Sequence, residues 1–176
     1  ANAEARLLLA RIFHSSGFGD NRLAIEALMG GLKFADQNPS FLDLEYLRVL
    51  FSVLSLDEQD EQRIELAEEL MDQIADPRTK ALLVLQAAQA EGELGRYQAA
   101  QERLLRNRLQ NSPHGYILMA NSFWRAGYLR RAILTYEQGI EKFPKEQQLV
   151  YTLLSLLEEE ELWEELLSYA DFRRLV

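Results

Sequence analysis

The chain has 176 residues, 48% of them hydrophobic, which is ample for a packed core and argues against a disordered chain. It has no cysteine, so disulfide frameworks, thiol catalysis and cysteine-based metal sites are excluded. A formal net charge of −9 argues against a nucleic-acid scaffold.

Nine glycines and four prolines leave long segments rich in Leu, Ala, Glu, Gln and Arg, the strong helix formers. No stretch alternates apolar and polar residues as a half-buried strand does. Pro39, Pro77, Pro113 and Pro144 recur 38, 36 and 31 residues apart, each where one helix can end and another begin. Such intervals suit a helix–turn–helix unit of about 34 residues.

Five units follow in chain order: 1–38, 39–76, 77–112, 113–144 and 145–176. In the first helix of the first, Ala5, Leu8, Leu9 and Ile12 form an apolar stripe at i, i+3, i+4, i+7, and a turn follows over 15–20, with Gly17 and Gly19. The second has Leu47, Leu50, Phe51 and Leu54, then a turn at Ser55-Leu56-Asp57-Glu58. The third offers Val84, Ala87 and Ala88, fails at Glu91, and turns at Gly95. The fourth has Tyr116, Met119, Ala120 and Phe123 and turns at Gly127. The fifth has Val150, Leu153, Leu154 and Leu157, with acidic Glu158–Glu161 in place of a glycine turn.

Glycine closes a helix cheaply because it enters the left-handed region without a Cβ clash. Small residues in the second helices, Ala67, Ala100 and Ala132, let paired helices approach. Together these give about ten helices in five antiparallel pairs: an all-α solenoid spanning 1–176 as a single domain.

At this point the residues resemble the tetratricopeptide family. Leu94-Gly95-Arg96-Tyr97-Gln98-Ala99-Ala100, with Pro113 beyond, resembles its turn motif. Gly127, Ala132, Tyr136, Gly139 and Pro144 match its glycine, alanine, aromatic, small and proline positions, so 81–144 carries most of the likeness. The last pair is recognisable by its stripe and Trp163, though Leu166 stands where the family has Ala. The resemblance implies a right-handed superhelix whose first helices line a concave groove that holds peptides or helices of other proteins, without chemistry of its own.

Catalytic constellations are scarce. His14, at the end of the first helix, reads as a cap and His114 as an exposed first-turn residue, and neither has a ligand-spaced partner. No phosphate loop or nucleophile elbow occurs. Adjacent carboxylates such as Glu68-Glu69 and Glu164-Glu165 fall on solvated helix faces, and Asp57-Glu58-Gln59-Asp60-Glu61 lacks the glycine of a calcium loop. The expectation is no catalytic residue, cofactor or metal.

Phe51, Phe123, Tyr136 and Trp163 fall on packing stripes and read as core. Asn121, Trp124 and Arg125 fall off the stripe, with Gln89 before them and Tyr151 after, and form the expected partner groove: amides bond an extended backbone and aromatics anchor side chains. The competing reading has Trp124 packed on its own neighbours.

Charge is banded. From Asp43 to Asp76 there are 11 acids and 2 bases; from Leu94 to Ile133, 7 arginines and one acid; from Glu146 to Asp171, 8 acids and no base. Arg130 and Arg131, in the basic band, form a candidate docking patch for an acidic partner, while part of the band should pair with its acidic flanks.

The function expected is a non-enzymatic scaffold holding a protein or peptide, with no nucleic acid and no membrane insertion of this segment; nothing in the sequence speaks to oligomeric state. The start at Ala-Asn-Ala-Glu, without an initiator Met, and the end inside a helical pattern suggest a segment of a longer protein. The alternative is a periplasmic segment of a bacterial exopolysaccharide-export protein that contacts polymer or recruits a polymer-modifying enzyme. Its 15 arginines against 4 lysines tilt location slightly to the periplasm over the cytoplasm.

Overall fold

The computed structural model describes Arg6, Leu8 and Ala10, residues 21–35 and residues 44–174, with side chains for Arg6, Leu8 and Ala10 and over 21–32 and 44–169. The described residues form helices joined by turns and short irregular segments, with no strand among them. Besides the helical Arg6, Leu8 and Ala10, nine helices run among the described residues: α1 Asn21–Ala35, α2 Leu44–Leu56, α3 Asp60–Gln73, α4 Pro77–Glu93, α5 Tyr97–Arg106, α6 Pro113–Arg125, α7 Leu129–Lys142, α8 Gln147–Glu159 and α9 Trp163–Arg174. Ala5, Leu9, Ile12, His14, the turn over 15–20 and Pro39 lie outside the described residues. The chain divides into two compact units between Ala99 and Ala100, inside α5 and inside the third expected hairpin.

In the first unit, α2 packs on α1, α3 and α4, and α3 packs extensively on α4. Leu47, Leu50, Phe51 and Leu54 are all fully buried, as their stripe requires. The Tyr46 hydroxyl reaches across to donate to the Leu28 carbonyl, and burial pushes its pKa up to about 12. Helix α4 begins where the sequence says it should: the Asp76 carboxylate accepts from the Thr79 amide at 2.8 Å and hydroxyl at 2.7 Å, with Pro77 in the first turn. Those bonds hold the Asp76 carboxyl below its ordinary 3.8.

In the second unit, α6 packs on α7 and α8, α7 on α8, and α8 on α9. Ile117, Phe123, Tyr136, Leu149 and Leu153 centre its core, and Ala132 is fully buried beside them. Ala67 is likewise fully buried in the first core, and Ala100, on α5, is fully buried as well.

Alternate helices end alike. After α2, α4, α6 and α8 a left-handed residue closes the helix: Glu58, Gly95, Gly127 and Glu161, which lie 37, 32 and 34 residues apart. In each case the next residue's amide bonds a carbonyl five positions back: Gln59 to Leu54, Arg96 to Glu91, Tyr128 to Phe123, Leu162 to Leu157. This is a Schellman closure, and its acceptors fall on the last positions of the four stripes. Helix α5 closes the same way at Arg108, onto Leu104.

Several expectations need correction. Leu8 is 60% exposed although it falls on the first stripe, whereas Ala10, off it, is buried. Trp163 is 54% exposed and so is not core. Glu91 does not break its stripe: it is buried on α4, beside the Arg96 guanidinium whose charge supports it. His114 is half-buried rather than exposed, and desolvation lowers its pKa below 6.5.

Candidate functional site

Helix α6 carries three of the seven candidate residues, Asn121, Trp124 and Arg125, and its start is tightly fixed. Ser112 caps it, its hydroxyl accepting from the Gly115 amide at 3.1 Å and donating to the Leu109 carbonyl at 2.8 Å. A Cβ on Gly115 would stand 1.9 Å from the Leu109 carbonyl oxygen, so only glycine lets the loop lie this close.

Asn121 and Trp124, expected in a partner groove, are engaged within the second unit. Asn121 Oδ1 accepts from the hydroxyl of fully buried Tyr136 at 2.6 Å. Burial raises the Tyr136 pKa well above its ordinary 10, so the phenol stays a donor. The half-buried Trp124 ring packs on the core and its indole N–H donates to the Glu160 carboxylate. Tyr151, on α8, is 61% exposed, and Arg125, closing α6, is exposed. Gln89 is half-buried on α4 in the first unit. Structure therefore draws Asn121 and Trp124 inward and leaves Tyr151 and Arg125 at the surface.

Arg130 and Arg131 are both exposed on the first turn of α7. Arg131 lays its guanidinium over the Phe123 ring, 4.1 Å from the centroid, a cation–π contact. That contact marks one end of a groove of about 390 Å³ that the sequence reading missed. Tyr116, Met119 and Phe123, assigned to the packing stripe, form its α6 side. Arg131, Leu134, Thr135 and Gln138 form its α7 side, and Gln110 and Asn111 close it from the preceding loop.

A sequence signal for this groove exists. Residues 131, 134, 135 and 138 recur at i, i+3, i+4, i+7, a second stripe on α7 beside the buried Ala132, Tyr136 and Gly139. Its mixed chemistry hides it, because Arg, Thr and Gln read as a solvated face. Leu134 is the telling residue, 56% exposed between polar neighbours.

Part of the charge banding is spent within the first unit. Arg96 forms a two-pronged pair with Glu61, one bond at 2.9 Å. Fully buried Arg63 bonds Asp60 at 2.6 Å and Gln86 at 3.1 Å. Two carboxylates of the 57–61 cluster are thus engaged by arginines rather than converging on a cation. Among the described residues no three His, Asp or Glu side chains could hold a metal ion together, and no helix is long and apolar enough to cross a membrane.

Compared with models of known families and with curated proteins, the chain matches none.

Proposed function

We propose that this chain is a non-enzymatic scaffold that holds another protein, built as a right-handed solenoid of tetratricopeptide-like hairpins. The equal closures at Glu58, Gly95, Gly127 and Glu161 support the repeat. So does the packing of first helices on the next first helix, α2 on α4 and α6 on α8, because stacked hairpins bury their faces on neighbours in this way. The observation that carries the functional reading is the groove between α6 and α7, which aromatic and amide side chains line together. A groove formed on packed helices binds without ordering itself first, which spares conformational entropy.

A photo-reactive benzoylphenylalanine at position 134 tests this in an extract of the source cells. One dominant protein adduct, absent when the label sits at exposed position 65, is the expected result. Labelling no better than that control counts against the scaffold. Scattering tests the solenoid: its radius of gyration should exceed the roughly 16 Å of a compact chain this long.

A further inference from the structure

Two cations flank the α6–α7 groove. Arg131 lines it and covers Phe123. Lys142 stands just outside the lining, where it bonds the Asn111 side chain at 3.1 Å and lies 5.9 Å from the Tyr116 ring centroid. They are eleven residues apart on α7, roughly 16 Å along the axis at the helical rise. An extended chain covers that span in about five residues.

Between the cations the surface is apolar and amide-bearing. Leu134 and Met119 offer contact for an apolar side chain, and Gln110 Oε1 is buried with no hydrogen-bond donor among the described residues. A peptide N–H supplies such a donor. No carboxylate lines the groove among the described residues, although the chain carries 28 acids. Arg131 forms no ion pair within those residues either; its charge rests on the Phe123 ring.

We infer that the groove takes a short extended segment of a partner protein with carboxylates about five residues apart and an apolar anchor between them. The inference rests on the scaffold reading and names the partner's chemistry. Carboxylates meet Arg131 and Lys142, the anchor lies on Leu134 and Met119, and the backbone bonds the Gln110 and Gln138 amides. Such charge matching selects the partner and speeds its arrival. The acidic residues of 146–171, in the same unit, repel acidic segments and so disfavour docking there.

The test pans the full chain against capped hexapeptides, one library ended by Asp at both termini and one by Lys, with Leu, Phe, Met, Tyr, Thr or Ala inside. Asp-ended peptides should be enriched, and anisotropy should show about tenfold weaker binding for Arg131→Glu/Lys142→Glu. Leu134→Asp should weaken binding to a similar degree, and Leu134→Gln serves if the first variant loses its circular dichroism. Equal recovery of Lys-ended peptides, or Asp-ended binding unchanged in these variants, would overturn the inference while leaving the scaffold standing. Displacement of the peptides by oligothymidylate would overturn it too, reassigning the groove to single strands. Recovery of no peptide by the wild type would sink the inference and remove support for the scaffold.

Discussion

The Tyr136 hydroxyl and the Asn121 side chain share a 2.6 Å hydrogen bond inside the second unit. A buried phenol needs an acceptor, and Asn121 provides it from the neighbouring helix. Asn121→Ala should therefore cost about 1–3 kcal/mol of stability, the penalty for orphaning a buried hydroxyl. Tyr136→Phe added to it should recover most of that loss. Urea melts of the two single variants and the double variant read the coupling; strictly additive losses would show the bond to be incidental.

The non-glycine closures are strained. Glu58, Arg108 and Glu161 hold φ of 56°, 58° and 56°, a region where a Cβ crowds the backbone. Replacing Glu58 or Glu161 with Gly should stabilise the fold by about 0.5–1 kcal/mol, strain relief exceeding the entropy of a freer unfolded chain. Gly127→Ala, at φ 85°, should destabilise by about 1 kcal/mol. Thermal melts decide the matter, and a stabilising Gly127→Ala would contradict the closure geometry.

Arg63 is fully buried and engaged by Asp60 and Gln86. Truncation to Ala leaves both a cavity and an uncompensated Asp60, and should cost roughly 3 kcal/mol or more. Arg63→Met restores volume and should cost less; paired with Asp60→Asn it should come close to wild type. Equal melting temperatures for Arg63→Ala and Arg63→Met would refute a packing role for the stem.

His114 gives the pH dependence a sign. Desolvation holds its folded pKa below the ordinary 6.5, so the unfolded chain binds a proton more readily. Stability is then fully present above about 6.5 and declines as pH falls below it. His114→Gln should flatten that decline in denaturant titrations between pH 7.5 and 5.5. A slope unchanged by the substitution would assign the effect to other groups.

The helices and their turns were legible because burial imposes a 3.6-residue period: Leu47, Leu50, Phe51 and Leu54 announce a helix whatever they pack against. Prolines at 77 and 113 and glycines at 95 and 127 were equally readable, since each acts through local backbone geometry. What depended on a neighbour was hidden. Trp163 looks like core until the helix it would face is known, and Glu91 looks like a break until Arg96 is seen beside it. The side chains of the candidate site depend on neighbours in the same way. In the sequence Asn121 and Trp124 look free because Tyr136 and Glu160, their partners, lie 15 and 36 residues away.

The four matched closures make the first helices interchangeable at their ends. Gly95 and Gly127 hand the chain onward with the same left-handed twist and the same five-residue hydrogen bond. Joining Gly95 directly to Tyr128 would remove 32 residues and set one such end in place of the other, with no new loop to invent. A gene encoding this chain can therefore gain or lose the stretch between two such closures by unequal recombination without passing through a misjoined turn.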